Sequence, residues 1–217
     1  MTDFVPAAPQ LWTYDALSFL LSGTRRWRPA LLAQISPSPD DVIADIGCGT
    51  GTQLRLLARA CPSATLIGVD PDEAIRQRAA AKLSRVTPPV ELLPGYLRDA
   101  ANLLAGRGVT KVLSSLVFHQ VPLEEKRAGL AAIRDALQPG GSLHVADYGL
   151  QRTAKMRKRF RLVQKGDGFE NTEPNAQGVL PELMAEVGFD GVEETRVFET
   201  ISGSISIYRA IVGAVDN

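Results

Sequence analysis

A glycine-rich turn between a buried strand and a helix is the feature that most constrains the fold of this chain. Residues 42–51, VIADIGCGTG, pass from consecutive apolar residues to three closely spaced glycines. Glycines allow the backbone to turn sharply and to approach a ligand closely, with a helix N-terminus beyond the turn. The apolar residues that follow recur at helical spacing: Leu54, Leu57, Ala58 and Cys61. The pattern predicts a strand–turn–helix unit at a ligand site, and a tight turn that binds nothing is the alternative.

The rest of the chain alternates short apolar runs with helical periodicity, which is typical of an α/β fold with a mainly parallel sheet. The first five predicted strands are residues 42–46, 65–69, 90–93, 112–116 and 142–146. Two more runs, 192–199 and 204–212, have so short a connection that they must be antiparallel, because a parallel crossover needs a dozen residues or more. The sheet is therefore predicted to finish with an antiparallel hairpin.

The length of the chain favours a single domain. With 217 residues, 45% of them hydrophobic, it can bury one sizeable core. We expect one domain over residues 1–217. It comprises a helical prelude (1–40), a core (41–147), an irregular segment (148–178), and a final helix and hairpin (179–217).

Charge, cysteine content and hydropathy argue against several classes of protein. The 24 basic and 24 acidic side chains balance, so the chain lacks the basic field typical of non-specific nucleic-acid binding. Its two cysteines, Cys48 and Cys61, suggest neither a disulfide framework nor a metal site. No secretory signal is visible, and no segment approaches the ~20 apolar residues of a membrane span. We therefore expect a soluble cytoplasmic protein without a bound metal.

The spacing of the glycines differs from the spacing that a dinucleotide-binding site requires. A dinucleotide fingerprint needs its third glycine at position 52, whereas the third glycine of this chain is Gly51. Asp45 also departs from that fingerprint, and its carboxylate can accept from a ligand's amino group or from the turn's own amides. Asp70 closes the second strand about 20 residues after the glycines, where an acid can accept from both ribose hydroxyls. The alternative is that Asp70 caps the helix after Pro71.

Several motifs resemble those of the class I S-adenosylmethionine (SAM)-dependent methyltransferases, and the resemblance runs over most of the chain. Residues 45–51 resemble the family's first motif, 68–70 its ribose-binding acid, and 137–141 its Leu-x-Pro-Gly-Gly before the fifth strand. Residues 14–15 and 115–121 resemble the subgroup of ubiquinone/menaquinone-type methyltransferases. The resemblance implies a Rossmann-like, doubly wound, seven-stranded mixed sheet whose last strand is antiparallel.

The resemblance also implies SAM as the cofactor and S-adenosylhomocysteine as its product. The residues expected to bind the cofactor are Tyr14, Asp45, Ile46, Gly47, Cys48, Gly49, Gly51, Asp70, Pro71, Tyr96, Leu97, Ser114 and Ser115. One departure concerns the adenine. Many relatives have Gly-Asp after the third strand, whereas this chain has Gly95-Tyr96, so backbone groups or the Tyr96 ring would contact the base.

Methyl transfer needs few catalytic side chains, because the sulfonium of SAM already activates the methyl group. In-line positioning, exclusion of water and sometimes a base are enough. His119 follows the fourth strand at its carboxyl end and is the candidate base or acceptor contact. Gln120 and Tyr148 are further candidate acceptor contacts, with packing as the alternative. His144 lies inside the fifth strand, where we expect a core role.

The stretch 152–161 holds six basic residues and no acidic one. It is either a solvated helix face or a contact for a phosphate-bearing acceptor or an anionic membrane surface. We expect residues 148–178 to form an acceptor-side cap that bends at residues 166–168. The predicted function is methyl transfer from SAM to a small-molecule or lipid-like acceptor. A non-catalytic SAM-binding protein and an NAD(P)-dependent oxidoreductase are the alternatives.

Overall fold

Seven strands form one mixed sheet in the computed structural model, which describes residues 23–214. The strands are β1 (Val42–Ile46), β2 (Thr65–Val69), β3 (Glu91–Leu93), β4 (Val109–Ser115), β5 (Leu137–Tyr148), β6 (Asp190–Thr200) and β7 (Gly203–Ile211). Their order across the sheet is β3-β2-β1-β4-β5-β7-β6. The first five are parallel, and β7 is antiparallel to both β5 and β6. The predicted mixed sheet with an antiparallel last strand is confirmed.

Helices cover both faces of this sheet. Numbered over the described residues, they are α1 (Thr24–Ile35), α2 (Thr52–Ala60), α3 (Glu73–Leu83), α4 (Ala100–Leu104), α5 (Leu123–Ala136), α6 (Ala154–Asp167), α7 (Phe169–Ala176) and α8 (Val179–Glu186). One buried cluster joins the sheet to α4, α5 and α8, and a second joins it to α1, α2, α3 and α6. Because both faces of β1 and β2 are covered, these strands read as continuous apolar runs.

The fifth strand is longer than predicted. The predicted strand starts at residue 142, after the Leu-x-Pro-Gly-Gly of residues 137–141, but β5 begins at Leu137 and includes that motif. The N–H of Gly140 donates to the carbonyl of Val212 at 3.0 Å, and the N–H of Val212 donates to the carbonyl of Gly141 at 2.9 Å. These bonds to the chain beyond β7 hold the glycines in the sheet, and a strand that arrives from far along the chain leaves no local signal.

Two helices, α6 and α7, occupy most of residues 148–178, and the prediction of an irregular segment was wrong. The Thr153 side chain caps α6 by accepting from the N–H of Met156 at 3.1 Å. Met156 and Phe160 lie one helical turn apart and are both buried, whereas Arg157 and Lys158 between them favour a helix and are exposed. The helical segment is interrupted at Gly168, which has a φ of 87° and separates α6 from α7. Movement at this break stays a prediction.

The first described helix belongs to the predicted helical prelude. On α1, Trp27, Leu31 and Ile35 are buried against the sheet. Gln34 donates to the carbonyl of Tyr208 at 3.0 Å and so joins α1 to β7. Residues 1–22, including the predicted cofactor contact Tyr14, lie outside the described residues. None of the described helices combines the length and apolar character that crossing a membrane requires.

Candidate active site

The predicted site residues within the described chain meet along one edge of the sheet. This edge is formed by the carboxyl ends of β1, β2, β3, β4 and β5, where open α/β sheets bind their ligands. The residues on or next to these strand ends are Asp45, Ile46, Gly47, Cys48, Gly49, Gly51, Asp70, Pro71, Tyr96, Leu97, Ser114, Ser115, His119, Gln120 and Tyr148. Their side chains are not equally available to a ligand.

The glycine turn, residues 47–51, contains three residues that require glycine-like backbone angles. Gly47, Gly49 and Gly51 have φ values of 74°, 52° and 72°. A Cβ at Gly47 would lie 2.3 Å from a methyl group of Val117, so the segment after β4 packs directly on the turn. A Cβ at Gly49 would meet nothing within 4 Å. The backbone at Gly49 therefore borders open space that a ligand can fill.

Asp70 binds the backbone of the glycine turn, and a different residue caps the next helix, α3. Its carboxylate accepts from the N–H of Gly49 and from the N–H of Asp72, both at 3.0 Å. Burial raises the pKa of Asp70, and these backbone bonds oppose the rise. Helix α3 is capped instead by Asp72, which accepts from the N–H of Ile75 at 3.0 Å. A carboxylate has about four acceptor positions, so Asp70 can still accept from ribose hydroxyls beside the half-buried Pro71.

Asp45 is a buried carboxylate whose oxygens have no hydrogen-bond partner in the part of the chain that the structure describes. The turn's amides do not bind it, which removes one of its two predicted roles. Burial raises the pKa of Asp45 to about 7, Arg28 opposes the rise and Asp70 adds to it. Arg28, which the sequence did not single out, lies on α1 and donates to Gln53 at 3.2 Å. Because an unsatisfied buried carboxylate is costly, this site favours a cationic donor.

The residues after β3 offer backbone groups and one aromatic ring to a ligand at this edge. The N–H of Tyr96 donates to Asp99 at 2.8 Å, which begins a short 3₁₀ turn at Leu97–Asp99. The Arg98 guanidinium lies 4.7 Å from the centre of the Tyr96 ring. The Leu97 side chain is buried in the core, so its contribution to a ligand site is limited to its backbone.

Hydrogen bonds connect the end of β4 to the neighbouring strands β1 and β5. The Ser114 hydroxyl donates to the carbonyl of Ile46 at 2.8 Å and is fully buried, whereas Ser115 is half-buried. Leu116 follows with a φ of 59°, a conformation that non-glycine residues seldom adopt, and its N–H donates to Ala146 at 2.9 Å. Such strained positions concentrate at functional sites.

Asp147 meets four hydrogen-bond donors at the carboxyl end of β5, and sequence reasoning did not assign it a role. It is fully buried and accepts from the N–H groups of Val117 at 2.9 Å and Phe118 at 2.7 Å. It also accepts from the N–H of Tyr148 and from Nδ1 of His119, both at 2.7 Å. One signal could have found it, since it is an acid at the carboxyl end of a parallel strand, like the acids of β1 and β2.

His119 bridges two carboxylates. Its ring is 3% exposed, with Nδ1 on Asp147 and Nε2 on Asp167 at 3.3 Å. Burial opposes protonation, but the two carboxylates outweigh it and raise the pKa of His119 to about 9. The ring is therefore an imidazolium at neutral pH, with neither nitrogen free to take a proton. Its predicted role as a base requires the ring to leave Asp167, and its role as an acceptor contact stays a prediction.

The two other candidate acceptor contacts are engaged within the protein. The Gln120 side chain donates to the carbonyl of Leu116 at 3.1 Å. The Tyr148 hydroxyl lies 2.7 Å from the hydroxyl of Ser202, and its ring packs edge-on against His119 with 4.9 Å between centres. Direct contact with an acceptor stays a prediction for both residues.

Known proteins resemble this chain in both sequence and fold. Residues 43–141 match a family model described as a methyltransferase domain. A trans-aconitate 2-methyltransferase of Rhodopseudomonas palustris strain BisB18 is 35% identical over 137 residues, covering 61% of this chain and 49% of the relative. Another, from Streptomyces avermitilis, is 33% identical over 143 residues, covering 64% and 51%. The chain thus spans about half the length of these curated relatives.

Two solved structures show the same fold at low sequence identity. An O-methyltransferase family protein from Burkholderia thailandensis superposes with a TM-score of 0.69 and 18% identity, over 93% of this chain and 60% of that one. The magnesium protoporphyrin IX methyltransferase from Synechocystis, solved with bound SAM, gives 0.62 and 18%, over 88% and 79%. Residues 43–141 thus match a methyltransferase domain, and the seven-stranded sheet that contains them is the fold of these solved methyltransferases.

Proposed function

We propose that this chain transfers the methyl group of SAM to a small-molecule acceptor. The observation that carries the proposal is the buried Asp45 carboxylate without a hydrogen-bond partner among the described residues, next to a glycine turn that borders open space at Gly49. SAM has a cationic amino group, a ribose and an adenine. An unsatisfied carboxylate, a second carboxylate at Asp70 and an open backbone edge fit these three parts.

Each of these residues has a separate task in binding. Asp45 would hold the amino group of the methionine part, and Asp70 would accept from the ribose hydroxyls while it keeps the turn in place through Gly49. The Tyr96 ring and the backbone around it would contact the adenine. When bound, SAM supplies a methyl group on a positively charged sulfur, so the chain's own work is to orient the acceptor in line and to exclude water.

We further propose that the acceptor carries a negative charge. Two relatives are named for trans-aconitate, an anion, although the chain spans only about half of each. In this chain, a cleft between α6 and α7 is lined by the exposed Arg157 and Arg161 together with Phe160 and Phe169. Glu173 also lines the cleft, but it accepts from Gln164 at 2.8 Å. Two guanidinium groups beside aromatic rings suit an organic carboxylate.

Titration and methyl transfer together test this function. Calorimetry should show binding of SAM and S-adenosylhomocysteine and none of NAD, which the glycine spacing disfavours. The full chain is then incubated with SAM labelled at the methyl carbon and either organic acids, trans-aconitate among them, or a metabolite extract. A labelled ester or other methylated product supports the proposal. Binding of SAM without any labelled product would favour a non-catalytic SAM-binding protein, and binding of NAD alone would favour an oxidoreductase.

Asp70→Ala should weaken SAM binding about 10- to 100-fold, because hydrogen bonds to a charged acceptor contribute roughly 1.5–3 kcal/mol. Asp72→Ala is the matched control. It removes the cap of α3 and should lower the free energy of unfolding by about 1 kcal/mol while SAM affinity stays the same. Calorimetry and denaturant unfolding of both variants make the comparison. Equal SAM affinity in wild type and Asp70→Ala would limit Asp70 to holding the turn.

Gly49→Val should abolish SAM binding, since the side chain would enter the open space beside the turn. Gly106→Val is the control, because Gly106 has a φ of 72° and open space around it but lies at the opposite edge of the sheet, before β4. A branched side chain strains the backbone at both positions, by roughly 1–2 kcal/mol. Thermal unfolding should therefore shift alike in the two variants. Normal SAM affinity in folded Gly49→Val would show that the turn does not touch the ligand.

SAM affinity should rise with pH through the titration of Asp45. The pKa of about 7 means that Asp45 is mostly protonated at pH 6 and mostly ionised above pH 7. An ammonium group binds the ionised form, so affinity should increase roughly tenfold from pH 6 to about pH 7.5. In Asp45→Asn, binding should be weak and this rise absent, while the exposed Asp40→Asn should behave as wild type. An equal rise in Asp45→Asn would assign the titration to another group.

A further inference from the structure

Three segments of the acceptor side meet at one buried ring. The His119 ring lies between Asp147 at the end of β5 and Asp167 at the end of α6. Asp147 also binds the backbone of Val117, and Val117 packs on Gly47 of the glycine turn. A continuous path of contacts therefore runs from the glycine turn through Asp147 and His119 to the break between α6 and α7.

A second set of contacts fixes α7 to the same segment. The Lys126 ammonium is buried and donates to the carbonyls of Phe118 at 2.6 Å, Val121 at 2.5 Å and Asn171 at 2.8 Å. The Asn171 side chain donates to the carbonyl of Gln120 at 3.0 Å. Helix α7 thus stays attached at Asn171 even without the bridge at Asp167, whereas the C-terminus of α6 contacts the segment after β4 through the bond between Asp167 and His119.

We propose that His119 is a positioning residue, which uses the Asp147–His119–Asp167 bridge to hold the α6–α7 break against the cofactor side of the site. The ring has no free nitrogen for substrate chemistry in this arrangement, and it lies between the segment that packs on the glycine turn and the helices that line the acceptor cleft. The proposal rests on the proposed function only in taking α6 and α7 as the acceptor side.

The bridge should hold only while the ring is charged. The folded-state pKa of about 9 lies above the ordinary value of 6.5, so its contribution is complete below pH 6.5 and is lost as pH rises through about 9. Among the described residues, the charged groups that face the ring are Asp147 from β5 and Asp167 from α6, and the titratable Tyr148 packs edge-on against it. Lys126 of α5 acts on Asp147, and burial lowers its pKa to about 8, so it titrates in the same range. Variants at Asp167 are therefore needed to separate the titration of His119 from that of Lys126.

The titration of His119 can be read directly by NMR. The chain has two histidines, and burial with nearby Arg209 and Lys111 lowers the pKa of His144 to about 3. A ring titration between about pH 5 and pH 10 therefore belongs to His119. We expect it near 9 in the wild type and clearly lower in Asp167→Asn, which removes one carboxylate. Asp135→Asn, an exposed change on α5, should leave it unmoved.

Hydrogen exchange measures whether the bridge holds the helices. At pH 7, protection of residues 154–167 should fall about tenfold or more in Asp167→Asn and in His119→Gln, with β1 and β4 as protected as in the wild type. Asp135→Asn is again the control. If His119→Gln does not fold, Asp167→Asn, whose side chain is partly exposed, carries the test alone.

With an identified acceptor, both variants should raise the acceptor KM or lower kcat/KM at least tenfold, with SAM affinity within twofold of wild type.

Two results would overturn the proposal. One is wild-type protection of residues 154–167 together with an unmoved His119 titration in Asp167→Asn. The other is a loss of turnover in His119→Gln while Asp167→Asn stays fully active and protected, which would make His119 a catalytic residue. The NMR and exchange measurements need neither SAM nor an acceptor. A chain that fails to bind SAM would therefore refute the proposed function and leave this inference to be judged on its own result.

Discussion

The parallel alignment of β2, β1, β4 and β5 is the constraint on which the rest of the site depends. It brings Asp70, Asp45 and Asp147, which lie at or directly after the carboxyl ends of three of these strands, to one edge of the sheet. Burying several carboxylates together is unfavourable unless donors meet them. Backbone N–H groups of the glycine turn and of the segment after β4 meet two of them. The third, Asp45, has no hydrogen-bond partner among residues 23–214.

Much of this fold could be predicted, because strands covered on both faces carry an unmistakable apolar run. The predicted bounds of β1 and β2 match the structure, and the short link between residues 200 and 203 was enough to predict the hairpin. The segment 148–178 was harder. Its helix α6 buries only Met156 and Phe160 and exposes a row of basic residues, so it lacks the broad apolar stripe by which a core helix is recognised.

The site was predictable where one segment holds all the information. The glycine turn is of this kind, because its three glycines adopt positive φ values. That Asp70 holds a ribose stays a prediction. Asp147 and Asp167 are not of this kind, because their roles arise from contact with His119, which is distant in sequence from both. The two histidines make the same point. Two carboxylates raise the pKa of His119 to about 9, whereas burial near cations lowers that of His144 to about 3. Residue type alone could not distinguish them.

The position of β7 has a consequence for the order in which the molecule forms. β5 pairs with β7 along residues 142–148, yet β7 follows β5 only after three helices and β6. During synthesis, a nascent chain can complete the glycine turn and its strands while β5 still exposes an unpaired edge. Ser202, the partner of the Tyr148 hydroxyl, arrives with the same hairpin. The strands that carry the glycine turn can therefore assemble on the ribosome before β6 and β7, and in that interval β5 presents an unpaired edge to other chains.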